Sequence, residues 1–329
     1  MHGDHLVDFP DRLAATQLSL PDGGPNAPLA ALQICRSRCE TCFPVRATAC
    51  CTLLTANGHS TSVCMRLRLP FLKNSPLVAV VRLNGAIGMA GRASLSDTAL
   101  APVLEKAFRR GKPDAVALEI NSPGGSPVQS SLIGTRIRRL ADENKIPVIA
   151  FVEDVAASGG YWLATAADEI WADESSILGS IGVISAGFGA HVLLARQGVE
   201  RRVYTAGKSK SMLDPFRPED PEDVKRLQDI LDQLHGNFIA HVKQRRGDRL
   251  VTKQDLFTGE IWLARRATEL GLIDGVGHLK PKMQARFGEN VKFRRYGLRR
   301  PFWSRFGAGL MQDAMSQVEE RAEFARFGL

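Results

Sequence analysis

The chain has 329 residues, 44% of them apolar and 24% charged, with a formal net charge of +8. That length and balance suit one large or two ordinary globular domains with ample core, and they exclude a wholly disordered or fibrous chain. No apolar run approaches the roughly 20 residues that cross a bilayer, and the polar opening Met1–Pro10 lacks the pattern of a secretory leader, so the expectation is a cytoplasmic protein, at most peripheral to the inner membrane.

Residues 1–64 carry Pro, Gly, Ser and Thr throughout, without helical or strand periodicity, and are expected to be a disordered extension. Met65 opens the abruptly different segment MRLRLPFLK, which also fits an over-long start assignment. All six cysteines (Cys35, Cys39, Cys42, Cys50, Cys51 and Cys64) lie in this extension, and a cysteine-free body suits a reducing compartment. Cys39 and Cys42 form a CxxC pair, but no second pair or histidine stands at ligand spacing, so no metal is expected.

From Leu77 onward, short apolar strands alternate with helical segments. Strands are predicted at Leu77–Asn84, Ala115–Asn121 and Pro147–Val152, and helices at Asp97–Arg110, Pro127–Asn144 and Tyr161–Ala167. A short strand at Asp168–Ala172 follows, then a turn into strand at Leu178–Val183, a helix at Phe188–Gln197 and a strand at Arg201–Thr205. Glu219–Arg246 reads as a long amphipathic helix after the break PFRPEDP, Leu263–Leu270 as a last helix of the body, and Leu310–Phe324 as a tail helix. Near-continuous apolar strands separated by helices imply an α/β fold, a parallel sheet covered on both faces, with ligand sites at the carboxyl ends of its strands. The folded body is taken as 65–278. Residues 279–329 form a basic, aromatic C-terminal segment, in which Lys280–Arg305 holds nine Lys or Arg against one acid, Glu289.

Two glycine-rich turns fall at such strand ends. In Ala156–Ala157–Ser158–Gly159–Gly160, an apolar strand turns sharply into a helix at a serine, which exposes a hydroxyl beside the free N–H groups of a helix start. The same serine could instead serve only as a helix cap. Ser122–Pro123–Gly124–Gly125 offers N–H groups with no side chains to block close approach, as an oxyanion hole requires. His191, His235 and His241 fall inside predicted helices and are not placed as a base. Lys208 and Lys210, in the small-residue loop Ala206–Ser211, are the alternatives, since a desolvated lysine can take a serine proton.

With these turns in view, the sequence resembles the signal peptide peptidase A group of serine–lysine peptidases, including the short SohB-like members. The resemblance covers about Leu77 to Gly277. It rests on Asn121–Gly125, Ala157–Tyr161, Gly179–Val183, Gly207–Lys210 and Phe257–Gly259, with Ala267–Asp274, in this order and spacing. It implies a Clp protease/crotonase-type fold, a parallel β-superhelix of ββα units, and makes 65–278 a serine peptidase domain. The nucleophile would be Ser158 and the general base Lys210, with Lys208 the less favoured lysine. Ser180 would hold the lysine amine, and the Gly125 N–H would face the oxyanion with Gly124 and Gly159 beside it. No metal or organic cofactor is implied. Substrates would be small apolar peptides, such as signal-peptide or membrane-protein remnants.

Short members of the group form rings, octamers among them, in which serine and lysine come from neighbouring subunits. Many relatives carry an N-terminal transmembrane anchor that this sequence does not show. The basic aromatic stretch Lys292–Arg305 could instead rest on an anionic membrane surface, and nucleic acid is not an expected partner. Two rivals share the fold class: a crotonase-like acyl-CoA hydratase or isomerase, which needs a carboxylate beside the glycine hole, and a catalytically silent scaffold.

Overall fold

The computed structural model describes residues 75–88, 94–207, 209–298 and 321–329, together with the backbone of 51–54 and 60–63. The chain divides into two units, 1–73 and 74–329. In the first, β1 (Cys51–Leu54) and β2 (Ser60–Val63) pair antiparallel, inside the stretch expected to be disordered. The other cysteines and Lys208 lie outside the described residues.

The second unit is built on strands whose composition leaves no polar face. β3 (Leu77–Asn84), β4 (Ala115–Ser122) and β5 (Val148–Ala157) are buried over nearly their whole lengths. Such two-sided burial requires cover above and below the sheet. The order is β10-β3-β4-β5-β6-β9 with every neighbour parallel, where β6 is Glu169–Ala172, β9 is Gly275–Val276 and β10 is Lys292–Tyr296. β5 is shared between two layers. Its residues Ile149–Val152 pair with β6, whereas Val155–Ala157 pair with β7 (Ile177–Gly179), which in turn pairs antiparallel with β8 (Ile261–Leu263).

One face of the sheet packs against α1 (Asp97–Arg109), α2 (Pro127–Asn144) and α3 (Gly159–Thr165) in a cluster that includes Leu104, Phe108, Ile133, Ile137 and Tyr161. The other face, with Val78, Val80, Ile149 and Phe151, is closed by Met283 of α7 (Leu279–Phe287) and by Val291. The helix starts follow local chemistry: Ser96 and Ser126 cap α1 and α2, and Pro127 sits in the first turn of α2. Arg136 of α2 grips Asp97 of α1 through two hydrogen bonds of 2.6 Å, and that contact holds the Asp97 carboxyl below its ordinary range.

Several predicted elements shift. β5 does not stop at Glu153 and Asp154 but continues to Ala157, because β7 supplies a further parallel partner there. α3 begins two residues before its predicted start. At 177–183 the order is strand then turn: β7 ends at Gly179, and Ser180 begins the turn. α4 is confined to His191–Arg196, and no strand forms at 201–205, which has no sheet neighbour among the described residues. Of the predicted tail helix, residues 321–324 are helical and 310–320 lie outside the described residues.

Residues 184–220 stand away from the core, and α4 buries none of its side chains. Phe188 and Tyr204 are 75% and 90% exposed, with Ile184, Leu193 and Val199 also open. The long helix α5 (Pro221–Arg246) follows; only Phe238, Val242 and Arg246 of its residues are buried. Its end is fastened to the body by Arg246, whose guanidinium meets Asp274 at 2.9 Å and the Gly271 carbonyl at 2.9 Å.

Candidate active site

Ser158 stands at the junction of β5 and α3 with φ 51° and ψ −120°, a backbone conformation that L side chains rarely adopt. Its side chain makes no capping bond to α3, so the helix-cap reading of this serine finds no support. Its N–H donates to the Gly179 carbonyl at 2.8 Å, which ties the elbow to the end of β7.

Glycines make the elbow possible. A Cβ on Gly124 would lie 2.8 Å from the Ser158 Cβ and 2.9 Å from the Gly159 nitrogen, and one on Gly160 would lie 2.3 Å from the Ser122 carbonyl oxygen. The turn after β4 and the turn after β5 are therefore in backbone contact, which neither could reach with larger residues. Asn121 and Asp154, near the ends of these strands, are joined by an amide-to-carboxylate hydrogen bond of 2.5 Å.

Gly125 is oriented by an isolated parallel bridge to Ile87. Ile87 N–H donates to the Gly124 carbonyl, and Ser126 N–H donates to the Ile87 carbonyl, each at 2.8 Å. In a parallel bridge of this pattern, the N–H of the central residue points to the opposite side. That side holds Gly159, since a Cβ on Gly159 would come 3.4 Å from the Gly125 nitrogen.

Ser158, Gly125, Gly159 and Ser180 line one cavity of about 440 Å³. Its apolar wall comes from Pro123, Pro127, Trp162 and Ile184, and from Leu234 and Phe238 of α5. Glu323, Arg326 and Phe327 of the C-terminal residues complete the lining. Glu323 is engaged by Arg326 at 3.0 Å, and no other carboxylate lines the cavity among the described residues. A separate, larger cleft of about 530 Å³ is walled by Glu119, Glu153, Asp154, Asp173 and His278, and Ser158 is not part of it.

Ser180 is the second strained serine, with φ 51°, held by its N–H on the Glu260 carbonyl at 2.7 Å. Gly124 belongs to the same turn as Gly125 without lining the cavity. Lys210 sits in the turn following Gly207, exposed to solvent, and is not on the cavity wall. Three of the turns singled out from the sequence thus meet at one cavity, while the chain by itself brings no lysine to it among the described residues.

What sequence reading missed is the wall. Trp162 stacks on His241 with ring centres 4.2 Å apart and meets Phe238 at 5.1 Å. The Thr165 hydroxyl donates to the Trp162 carbonyl at 2.7 Å and accepts from His241 Nε2 at 2.9 Å. Burial, with Arg245 nearby, pushes the His241 pKa down to about 4. The signal for this wall was Leu234 and Phe238, four apart on one helix face, in a stripe that also fits ordinary core.

Comparison with known proteins bears on the same region. Residues 141–289 match the model of Peptidase family S49. A putative protease of Synechocystis is 34% identical over 200 residues, covering 61% of this chain and 69% of that protein. A protein of Brucella abortus named Na(+)/H(+) antiporter NhaA is 47% identical over 271 residues, 77% of this chain, and the chain spans 37% of its length. The probable protease SohB of Haemophilus influenzae is 30% identical over 209 residues, 62% of this chain and 58% of its own. The family match spans the Ser158 elbow, the Ser180 turn and Phe257–Gly259, and begins after the Asn121–Gly125 turn; the fold is the α/β arrangement it implies.

Proposed function

Because the chain belongs to peptidase family S49, we propose that it hydrolyses peptide bonds as a serine endopeptidase, with Ser158 as nucleophile and Lys210 as general base. The observation that carries the reading is Ser158 itself: a serine at φ 51° whose side chain caps nothing, set against the Gly125 amide at the mouth of an apolar cavity. Strain of this kind clusters at active sites, where the surrounding structure holds it.

In the proposed reaction the scissile carbonyl lies between the Ser158 hydroxyl and the Gly125 N–H. Ser158 Oγ attacks the carbonyl carbon as its proton passes to the neutral amine of Lys210. The Gly125 amide, with Gly159, receives the charge that develops on oxygen. Lys210 returns the proton to the leaving amine, and the acyl-enzyme is then hydrolysed by a water that the same amine deprotonates. Ser180, on the same wall, orients that amine. The apolar wall suits peptides with bulky hydrophobic side chains, such as remnants of membrane-inserted segments.

Lys210 would reach Ser158 from a neighbouring copy. Apolar side chains exposed along 184–204, on the segment that carries Lys210, support a ring of identical subunits. Lys280, Lys292 and Arg294 on α7 and β10 support peripheral contact with anionic lipid on the cytoplasmic side, whereas Arg286 and Arg295 pair with Glu169 and Glu119 and residues 299–305 lie outside the described residues. Phe293 of this segment packs on the second core cluster and is not part of that contact. Among the described residues no helix is long and apolar enough to cross a membrane. A crotonase-type reaction lacks support, because among the described residues the only carboxylate on the cavity wall is already paired.

The test is active-site labelling of the assembled protein with a fluorophosphonate, read by mass spectrometry. Modification of Ser158, and its loss together with apolar-peptide hydrolysis in Ser158→Ala and Lys210→Ala, is the expected result. An unlabelled wild-type protein without peptidase activity would sink the reading.

A further inference from the structure

We propose that His235 is a positioning residue for this site, acting through the main chain of the Ser180 turn; the inference rests on the serine–lysine reading above. Helix α5 sends Leu234 and Phe238 to the cavity wall, and between them His235 directs Nε2 at the Ile181 carbonyl oxygen, 3.1 Å away. A carbonyl oxygen can only accept, so Nε2 carries the proton. The neutral tautomer and the imidazolium both satisfy this bond, which makes it a brace and not a pH switch.

The braced peptide lies between two residues of the cavity wall, Ser180 and Gly182. The Ile181 side chain is fully buried and anchors the turn from below. Ser180 keeps φ at 51°, which requires that the surroundings over-determine its backbone. Its N–H is held by the Glu260 carbonyl at 2.7 Å, and Gly182 N–H closes back on the Ser180 carbonyl at 2.9 Å. His235 contributes the side-chain hydrogen bond to this turn, and it comes from an element 54 positions later in the chain.

Losing that bond frees the Ile181–Gly182 peptide to rotate. Rotation would carry the Ser180 hydroxyl away from the lysine amine while leaving Ser158, whose N–H is held by Gly179 upstream of the rotating peptide, in place. Proton transfer would suffer more than substrate binding. With its hydroxyl partner gone, the amine would also be easier to protonate, so the acidic limb of the rate profile would move to higher pH.

The experiment compares hydrolysis of a fluorogenic apolar peptide by the full chain and by His235→Leu and His235→Gln. We expect kcat of His235→Leu to fall about tenfold, the loss that corresponds to one net hydrogen bond, with KM changed by less than about threefold. The acidic limb of kcat/KM should rise by about half a pH unit or more, the sign that a neutral lysine has lost a partner. His235→Gln, whose amide N–H reaches the same carbonyl, should restore most of kcat. An active wild type with an unchanged kcat and pH profile in His235→Leu overturns the proposal, as does a His235→Gln variant as impaired as His235→Leu. Should His235→Leu lose its cooperative melt, His235→Asn, too short to reach Ile181, is read in its place. A wild type that neither labels at Ser158 nor cleaves the peptide overturns the underlying peptidase reading instead, so the two failures are distinct.

Discussion

Ser158 and Gly179 are joined by a hydrogen bond of 2.8 Å from the serine N–H to the glycine carbonyl, so the elbow and the Ser180 turn share one main-chain anchor. Gly179 has φ 101°, and a Cβ there would lie 2.6 Å from the Trp262 ring. Gly179→Ala should therefore shift β7 and disturb both serines. The expected result is a loss of peptidase rate of about a hundredfold or more, the size of effect seen when an oxyanion geometry is spoiled, in a protein that still shows its α/β circular dichroism.

Gly125→Ala should be more damaging still. The new methyl carbon would lie 2.2 Å from the Ile87 carbonyl oxygen, and φ 139° is unsuitable for alanine. The amide proposed to face the oxyanion must then turn. Fluorophosphonate labelling of Ser158 should drop with the hydrolysis rate, and parallel thermal melts show how much of the loss is unfolding.

If Lys210 serves a neighbouring subunit, two dead proteins should make a live one. Ser158→Ala and Lys210→Ala homomers are each expected to be inactive, and unfolding and reassembling them together should recover roughly a quarter of wild-type activity in an interface that pairs an intact serine with an intact lysine, given cyclic head-to-tail contacts. No recovery in mixed rings confirmed by native mass spectrometry would place both groups in one chain. Tyr204→Glu, on the exposed segment, should shift the protein toward monomer in light scattering and lower activity in step.

Acid should loosen the α5 attachment through two groups acting in the same direction. The pKa of His241 is depressed to about 4, so its contribution is fully present above the unfolded value near 6.5 and is lost as pH falls from there through about 4. Burial raises the Asp274 carboxyl, but hydrogen bonds from Arg246 and the Ile170 N–H outweigh it and leave the group lowered. Its contribution is present above the unfolded carboxylate range and is lost as pH falls through its lower folded value. Urea midpoints should decline between pH 6.5 and 4, at no more than about 1.4 kcal/mol per pH unit for one proton. His241→Phe should flatten the upper part of that decline.

Removing one member of the buried pair is a separate matter. The Arg246 side chain is 2% exposed, and it bonds both Asp274 and the Gly271 carbonyl. Asp274→Ala would leave the guanidinium buried beside Ile170 and Tyr161 without its counter-charge, and a loss of about 3 kcal/mol of unfolding free energy is expected. Asp274→Asn, which keeps the shape but not the charge, should cost less.

The two glycine turns that meet at the cavity were legible because their signal is local. Small residues packed into Ser122–Gly125 and Ala156–Gly160 announce close backbone approach, and the contacts of Gly124 and Gly160 give the reason no larger residue would fit. The strands were legible because double-sided burial leaves no polar residue in Val78–Val81 or Ala115–Leu118. The wall was not legible. Trp162 and Phe238 are 76 positions apart, and nothing in either local pattern distinguishes a cavity lining from core. Arg201–Thr205 carries a strand-like pattern that finds no partner among the described residues, since hydrogen-bonding neighbours are a tertiary fact that propensity does not encode. His235 read as an ordinary helix residue because its significance lies in where Ile181 comes to rest.

The first long strand of the sheet is completed by the last. β10 lies parallel against β3, with Lys292 opposite Leu77 and Tyr296 opposite Val81, a pairing that closes a loop of more than two hundred residues. During synthesis, the outer edge of β3 must wait with its amides and carbonyls unclaimed until the basic segment emerges from the ribosome. A nascent chain stalled before residue 292 therefore displays a bare, apolar β-edge, the kind of surface that chaperones bind and that other chains can extend into aggregates. β10 thus acts as a late cover for the oldest part of the fold.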